Sequence, residues 1–264
     1  MNLGLQGKLA VISGSTAGIG FAIAAEFAVE GARVVINGRT QARVDAALEK
    51  LRLQNRGAEF TGIAADLGTA EGVDTFLKEA PSADILVNNL GIFEVKPFLE
   101  IPDADWQRFF EVNVLSGVRL SRHYLASMLK KNWGRIIFIS SESAQQIPME
   151  MVHYGMTKTA QVSIASGIAK SVAGTGVTVN SVLVGPTASE GAGNFVKELA
   201  FQQGVSTAEI EKQFFATARP SSLLKRFETP EEVAAVVAFV ASTQAGIING
   251  AAVRAEGGVV QSIL

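Results

Sequence analysis

The amino-acid sequence predicts an α/β fold in which a doubly wound parallel sheet of about seven strands is flanked by helices. Short apolar runs alternate with longer helical patterns along all 264 residues. The runs are apolar on both faces, as strands covered by helices on each side must be. No repeat or Pro/Ser-rich linker interrupts this alternation, so we expect a single domain spanning residues 1–264.

The spacing of the apolar residues predicts the individual elements. The β-rich runs indicate strands at 9–13, 33–37, 59–64, 85–88, 135–140, 177–183 and 251–254. After the first run, Ile19, Ile23 and Phe27 recur every four residues, which places them on one face of a helix. Two longer helical patterns cover residues 103–131 and 152–172.

One segment does not follow this alternation of strands and helices. Residues 187–227 contain no clear strand, but short helical patterns occur at about 195–201 and 207–218. A segment this long inside a compact α/β domain is more often a functional lid than a structureless loop. Because it follows the sixth strand, it should rise from the carboxyl edge of the sheet, where ligands bind in such folds. We therefore expect a substrate lid at about 187–227.

Composition and charge narrow the classes of function. The chain has 23 basic and 25 acidic residues and no long basic run, which argues against a nucleic-acid partner. It has no cysteine and two histidines, which excludes disulfides, a thiolate nucleophile and a Cys/His metal site. The uncharged stretches at 171–189 and 233–253 contain glycine and asparagine, unlike a membrane span. We expect a cytoplasmic protein without metal, nucleic-acid or membrane partners.

A glycine-rich turn follows the first predicted strand. The run Ser-Gly-Ser-Thr-Ala-Gly-Ile-Gly leads directly into a helix. In such a turn Gly14 permits the tight reversal, Gly18 lets the backbone approach a pyrophosphate, and Gly20 lets helix and strand pack. The helix N-terminus adds free N–H groups. The context predicts a dinucleotide site of the Rossmann type that also includes Ser15 and Ile19. The alternative is that the glycines serve the turn alone.

Tyr154 and Lys158 stand near the start of a predicted helix. Four-residue spacing places both side chains on one helical face, so they can serve a common site. A free phenol has a pKa of about 10, which must fall by about three units for ready proton exchange at neutral pH. A positive charge at about 4 Å supplies an effect of that size. Taken alone, such a pair is common, and a surface tyrosine and lysine would be the better explanation of it.

Further residues place this pair in a larger pattern. Ser141 precedes Tyr154 by thirteen positions, at the end of the fifth strand, and Asn88-Asn89-Leu90-Gly91 follows the fourth strand. Asn113 lies between these two groups. The chain resembles the short-chain dehydrogenases/reductases from end to end. The resemblance rests on the order and approximate spacing of these residues together with the glycine turn.

The resemblance implies a hydride-transfer site. Tyr154 would be the general acid in carbonyl reduction and the base in alcohol oxidation. Ser141 would orient the substrate oxygen and support the charge that develops on it. Lys158 would hold the nicotinamide ribose and lower the pKa of Tyr154. Asn113 would hold a water that links Lys158 to solvent. The chemistry at carbon would belong to the nicotinamide cofactor.

The end of the second strand bears on the choice of cofactor. An NAD enzyme usually has an acidic residue here, but this chain has Gly38 followed by Arg39. Because a guanidinium pairs well with a phosphate, we predict that NADP(H) is favoured over NAD(H). The alternative for Arg39 is a solvated arginine at a helix start. The other implied cofactor contacts are Asn37, Thr40, Asp66, Leu67, Asn89, Gly91, Pro186 and Thr187.

Three departures from the family pattern concern positions outside the proton-transfer groups. Leu90 replaces the usual alanine, Gly185-Pro186 reverses the usual Pro-Gly, and Glu256 replaces the usual aspartate before two glycines.

We predict an NADP(H)-dependent oxidoreductase that interconverts a carbonyl and an alcohol of a small molecule. The alternatives are an NADP(H)-binding sensor without turnover and an epimerase or dehydratase of the same fold. Family members commonly form tetramers through the helices that correspond to 103–131 and 152–172. The resemblance therefore implies a homotetramer, or a homodimer.

Overall fold

The computed structural model describes residues 2–263, apart from the side chains at 192, 194 and 195. Within these residues, seven strands form one parallel sheet in the order β3-β2-β1-β4-β5-β6-β7. The seven predicted strands are confirmed, and their ends shift by at most one residue. They are β1 Leu9–Ile12, β2 Arg33–Gly38, β3 Phe60–Ala64, β4 Ile85–Asn88, β5 Gly134–Ser141, β6 Val177–Val184 and β7 Ala252–Ala255.

Helices connect the strands and cover both faces of the sheet. They are α1 Gly18–Val29, α2 Gln41–Gln54, α3 Ala70–Glu79, α4 Asp103–Phe110, α5 Ser116–Lys131, α6 Val152–Ser171, α7 Glu190–Gln203, α8 Thr207–Thr217 and α9 Pro230–Ala241. α1, α2 and α9 pack on one face, and α3, α5 and α6 pack on the other. The predicted doubly wound α/β fold is therefore confirmed.

The side chains of β1 alternate between the two faces of the sheet, which explains why its sequence is apolar throughout. Ala10 and Ile12 belong to the core on the side of α1, whereas Val11 belongs to the core on the opposite side. All three are fully buried. Since successive strand residues point to opposite faces, a strand between two helical layers needs apolar residues at every position.

The sheet order reverses next to β1, which pairs with β2 on one side and with β4 on the other. In open parallel sheets such a reversal leaves a crevice outside the carboxyl ends of the strands. The turn after β1 and the loop after β4 meet there, so the topology brings their predicted site residues together.

The long helical pattern at 103–131 is not one regular helix. α4 and α5 are joined by a π-helical turn, Glu111–Leu115, which contains Asn113. A π turn widens the helix by one residue and leaves local carbonyls free of the regular hydrogen-bond ladder. The carbonyl of Asn113 is accordingly available to the side chain of Gln161 on α6, at 2.6 Å.

Residues 187–228 lie between β6 and α9 and contain α7 and α8. A parallel bridge between Thr187 and Glu228 joins the two ends of this segment. α8 begins after Ser206, whose side chain accepts from the backbone of Glu209. The two helices include both helical patterns predicted here, although α7 starts earlier than its pattern indicated.

Within residues 2–263 we find no helix that combines the length and apolar character needed to cross a membrane. The same residues contain no group of three or more acidic or histidine side chains placed to hold a metal ion.

Candidate active site

The turn after β1 has the geometry of an anion cradle. Gly14 and Gly18 adopt positive φ angles of 61° and 56°, a conformation that side chains disfavour. A Cβ on Gly20 would lie 2.6 Å from the carbonyl oxygen of Gly14, so only glycine fits against the turn. α1 starts after Ala17, which provides no side-chain cap, and its first N–H groups are therefore free for a bound anion.

Buried polar residues hold this turn in place. Ser15 is fully buried, and its backbone N–H donates to the carbonyl of Asn37 at 2.9 Å. The amide of Asn89 donates to the carbonyls of Ser13 and Gly14 at 3.0 and 2.9 Å. Asn37 and Asn89, both predicted to contact cofactor, thus also tie β2 and β4 to the glycine turn.

A cleft of about 180 Å³ lies at the carboxyl ends of β1 and β2. Predicted residues among its lining are Gly14, Asn37, Arg39 and Leu67. Two other predicted residues are not among this lining and make local hydrogen bonds, and their contacts with a cofactor remain predictions. Thr40 caps α2, and Asp66 accepts from the backbone of Gly68 at 3.0 Å.

Arg43 is a lining residue of this cleft that the sequence analysis missed. It lies in the first turn of α2, four positions after Arg39, and four-residue spacing near a helix start could have indicated it. Its guanidinium is 3.0 Å from the carboxylate of Glu190, the first residue of α7. Both side chains are about half exposed. The cleft therefore has two guanidinium groups, one of which reaches the segment 187–228.

A second cleft of about 290 Å³ extends from the glycine turn toward α6. The two clefts share the lining residues Gly14, Ala17 and Leu90, so they adjoin at the glycine turn, and together they are called the groove. The second cleft brings together the predicted residues Gly14, Gly18, Ile19, Asn89, Gly91, Tyr154 and Lys158.

Pro186 and Thr187 do not line either cleft. Thr187 is buried, and its hydroxyl donates to the carbonyl of Gly185 at 3.0 Å. Its predicted contact with the nicotinamide remains a prediction.

Tyr154 and Lys158 lie on α6, with the ammonium nitrogen of Lys158 5.5 Å from the centre of the tyrosine ring. The ammonium donates to the carbonyl of Ile139 at 2.9 Å and to Gln161 at 3.3 Å. Gln161 in turn donates to the carbonyl of Asn113. The structure thus links Asn113 to Lys158 through Gln161, a residue that the sequence analysis did not single out.

The side chain of Asn113 is also engaged. Its amide donates to the carbonyl of Ile92 and to the hydroxyl of Thr157, each at 3.0 Å. Its oxygen accepts from the backbone of Ile92 at 2.8 Å. Asn113 therefore fixes the loop after β4 against α6, beside Tyr154.

Burial has a large effect on the pKa values of Tyr154 and Lys158. It lowers the pKa of Lys158 to about 8, although the nearby charge of Glu142 opposes this change. Burial raises the pKa of Tyr154, and Glu142 raises it further. The groups that lower the pKa of Tyr154 are the Ser141 hydroxyl and Arg219, and burial outweighs both, because a phenolate is destabilised when it is removed from water. Lys158 is not among the groups that lower it, so the expected effect of Lys158 remains a prediction.

Ser141 ends β5, and its hydroxyl interacts with the phenol of Tyr154, which lowers the pKa of that phenol. The same hydroxyl donates to the carboxylate of Glu142. Glu142 is buried and paired with Arg219, which follows α8. No role for Glu142 was predicted from the sequence, and no signal in the sequence connects Glu142 with Arg219.

The chain is similar to known oxidoreductases along most of its length. The family model described as short chain dehydrogenase matches residues 8–200. The uncharacterized oxidoreductase YvaG of Bacillus subtilis (strain 168) is 47% identical over 263 residues, with 100% of each chain covered. The 3-oxoacyl-[acyl-carrier-protein] reductase FabG of Aquifex aeolicus is 32% identical, covering 98% of this chain and 100% of the relative.

Among solved structures, L-sorbose reductase from Gluconobacter frateurii, complexed with NADPH and L-sorbose, matches with a TM-score of 0.94. It is 32% identical, and 100% of each chain is covered. The family model spans most of the chain, and the relatives match it along nearly its whole length. The chain therefore belongs to the short-chain dehydrogenase/reductase family and is an oxidoreductase.

Proposed function

We propose that this protein interconverts a carbonyl and an alcohol of a small molecule with NADP(H), using Tyr154 as the acid and base. One observation carries the proposal. The hydroxyl of Ser141 and the phenol of Tyr154 interact, with Lys158 on the same helix, beside a groove that leads to Arg39.

The groove fits a dinucleotide. Its middle is the glycine turn, where a Cβ on Gly20 would collide with the carbonyl of Gly14 and where the first N–H groups of α1 are uncapped. Such a terminus suits a pyrophosphate. A bound nicotinamide would supply or accept the hydride at carbon.

The protein's own residues would manage the proton and the charge. In reduction, Tyr154 would donate its phenolic proton to the substrate oxygen, and Ser141 would hold that oxygen by a hydrogen bond. Lys158 is held by Ile139 and Gln161, which direct its ammonium toward the groove and Tyr154. In oxidation the same groups would act in reverse.

The adenosine end of the groove supports a preference for NADP(H). Gly38 leaves the end of β2 without an acidic side chain, while Arg39 and Arg43 line the cleft there. Two guanidinium groups would pair with a 2′-phosphate, whereas an adenosine lacking that phosphate would leave them unpaired. The L-sorbose reductase with a similar structure was crystallised with NADPH.

The experiment is a turnover assay. The protein is mixed with NADPH and a panel of ketones, aldehydes and sugars that includes L-sorbose and ethyl acetoacetate, and the absorbance of the reduced nicotinamide is followed. We expect turnover of at least one carbonyl that Tyr154→Phe abolishes. Tight binding of NADPH with no turnover across a broad panel would contradict the proposal and favour a nucleotide sensor.

Three broader expectations belong to the same proposal. The chain is a single domain of 264 residues in which the segment 187–227 acts as the substrate lid. It works in the cytoplasm, and it assembles as a homotetramer or homodimer. The helices α4 and α5, which cover 103–131, and α6, which covers 152–171, would take part in assembly, and exposed Phe110 on α4 and Leu129 on α5 support this. Light scattering of the purified protein tests assembly, and a monomer would contradict it.

A further inference from the structure

One departure from the family pattern makes room for a buried carboxyl. Glu228, at the end of the segment 187–228, is only 5% exposed. A Cβ on Gly185 would collide with Oε1 of Glu228 and would lie 2.7 Å from the carbonyl oxygen of Glu256. The usual Pro-Gly order would place a proline, and therefore a Cβ, at position 185. The reversed order Gly185-Pro186 thus leaves the space that the Glu228 side chain occupies.

Glu228 holds the residues that connect β6 with α7. Its backbone N–H donates to the carbonyl of Pro186 at 2.9 Å, and its carbonyl accepts from the N–H of Ala188 at 2.8 Å. Its side chain adds a third bond, because Oε2 accepts from the N–H of Gly185 at 3.2 Å. That N–H is shared with the carbonyl of Ala255 at the same distance. Glu228 is therefore bonded to three of the residues that precede α7.

The residues held by Glu228 lie between two lining positions of the candidate active site. Val184 and Ser189 both line the second cleft, which also contains Tyr154 and Lys158. The backbone between Val184 and Ser189 sets where these two lining residues stand. Glu228 does not line the cleft itself. It can therefore act on the cleft only through the residues that it holds.

The second carboxyl oxygen of Glu228, Oε1, is buried and has no hydrogen-bond partner within the described residues. A carboxylic acid carries its proton on one oxygen and accepts with the other. Protonated Glu228 would keep its proton on Oε1 and accept from Gly185 with Oε2. Ionised Glu228 would leave a buried anionic oxygen without a donor, which is costly. The geometry therefore favours the protonated form while residues 185–188 are in place.

The charges around Glu228 also favour its protonated form. Burial and three carboxylates on other elements raise the pKa of Glu228 to about 7, and the bond from Gly185 opposes this change. The carboxylates belong to the turn after β7, to α9 and to the 3₁₀ turn Glu142–Ala144 after β5. Each is already paired with an arginine: Glu256 with Arg254, Glu232 with Arg226, and Glu142 with Arg219. The arginine closest in sequence, two positions before Glu228, is therefore already engaged.

We propose that Glu228 is a positioning residue that, in its protonated form, holds residues 185–188 as a wall of the cleft for the nicotinamide half of the cofactor. The proposal rests on the function proposed above, since it assigns Glu228 a part in binding the same cofactor. The closed segment binds a proton that an opened segment, with an ordinary carboxyl pKa of 4.5, releases. Closing therefore becomes less favourable as pH rises from about 4.5 to about 7 and changes little above pH 7.

Hydrogen exchange of the free protein tests the positioning without turnover. Exchange in peptides that cover 183–190 is measured by mass spectrometry in the parent and in Glu228→Gln, which keeps an acceptor but cannot ionise. We expect the ratio of the two exchange rates, parent over variant, to rise about tenfold between pH 5 and pH 8. Equal ratios at both pH values would overturn the proposal. An equal rise in the peptide over β1 would also overturn it, because that would be a change of global stability.

Two further variants complete the exchange experiment. Glu228→Ala removes the acceptor for Gly185, and we expect it to speed exchange at 183–190 about threefold to tenfold at pH 5, where the parent is mostly protonated. Glu231→Gln is the matched control, because Glu231 is exposed in the first turn of α9, three positions after Glu228. We expect Glu231→Gln to exchange like the parent at both pH values. An effect of Glu231→Gln equal to that of Glu228→Gln would contradict a specific role of Glu228.

Cofactor binding gives a second readout. The Kd values for NADP⁺ and NAD⁺ are measured by calorimetry at pH 5 and pH 8. We expect Kd to rise with pH by about threefold or more in the parent relative to Glu228→Gln, because the binding-competent segment is less populated at pH 8. The rise should be the same for both nucleotides, since Glu228 acts away from the 2′-phosphate. Identical pH dependence in parent and variant would contradict the positioning role, as would an effect confined to NADP⁺.

The two proposals fail differently. If the parent binds nucleotide but reduces no carbonyl, the proposed reaction fails, while exchange and binding still decide the role of Glu228. If the parent is active and Glu228→Gln matches it in exchange and binding at both pH values, only the role of Glu228 fails. Thermal melting of each variant identifies those that do not fold, and Glu228→Gln is chosen because it keeps the side-chain volume.

Discussion

The guanidinium of Arg43 and the carboxylate of Glu190 form an ion pair of 3.0 Å across the mouth of the proposed cofactor groove. Arg43 belongs to α2, at the adenosine end, whereas Glu190 begins α7 in the segment 187–228. If the protein binds NADP(H) as proposed, a 2′-phosphate would compete with Glu190 for this guanidinium, and the pair would connect cofactor binding with the proposed lid.

We expect Glu190→Gln to strengthen NADPH binding. The substitution leaves the charge of Arg43 unpaired in the free protein, so a phosphate no longer has to displace a carboxylate. Because the pair is half exposed, the gain should be at most about fivefold in Kd. Binding is measured by the fluorescence of the reduced nicotinamide. NADH is the control, and an equal gain for both nucleotides would show that Glu190 does not act through the phosphate.

We expect Arg39→Ala and Arg43→Ala each to raise the KM for NADPH by about tenfold to a hundredfold, because each removes charge-assisted hydrogen bonds to phosphate. The KM for NADH should change little. Arg56→Ala serves as the matched control, since Arg56 is exposed between α2 and β3, at the amino edge of the sheet. Equal losses for NADPH and NADH would refute the pairing with phosphate.

We expect Tyr154→Phe to reduce kcat by about a hundredfold to ten-thousandfold, the usual contribution of a general acid, with Kd for NADPH nearly unchanged. Tyr124→Phe is the control. Tyr124 lies on α5, fully buried, and donates to the carbonyl of Ala80 at 2.7 Å. Its loss should cost about 1 kcal/mol of stability and leave kcat intact. Full activity in Tyr154→Phe would exclude the proposed mechanism.

We expect Glu228 to make the protein less stable above neutral pH. Burial raises the pKa of Glu228 to about 7, and one of its carboxylate oxygens has no hydrogen-bond partner within the described residues. Between about pH 4.5 and 7 the folded state binds more protons than the unfolded state, so the free energy of unfolding falls as pH rises. At pH 8 the carboxylate is buried and ionised in the fold.

Glu228→Gln should therefore stabilise the protein at pH 8 by about 1–3 kcal/mol and have little effect at pH 4.5. The measurement is thermal or urea unfolding at both pH values. Glu231→Gln is the control because Glu231 is exposed in the first turn of α9. A stabilisation that is the same at both pH values would show that ionisation of Glu228 is not its cause.

Much of the fold follows from local patterns. A strand such as β1, buried between two helical layers, needs apolar residues at consecutive positions, and that requirement is visible in the sequence. The π turn around Asn113 was not predicted, because its single added residue leaves the helical spacing of 103–131 almost unchanged. The start of α7 was also missed, since its first turn contains two glycines and little apolar periodicity.

In the candidate site, too, some contacts could be predicted from the sequence and others could not. Tyr154 and Lys158 are four residues apart on one helix, so their proximity could be predicted from spacing alone. Arg219 and Glu142 are 77 positions apart, and only the packing of the segment 187–228 against β5 brings them together. Gln161 is similar, because its contact with Asn113 depends on how α6 crosses the π turn.

The sequence by itself determined the parallel sheet and the glycine turn, because these depend on local spacing and residue type, and its resemblance to the family implied the groups proposed for proton transfer. The tertiary structure decided the electrostatic setting of those groups. Burial and Glu142 raise the pKa of Tyr154, while Ser141 and Arg219 lower it. Such effects depend on distance and on exclusion of water, and neither exists until distant parts of the chain have packed together.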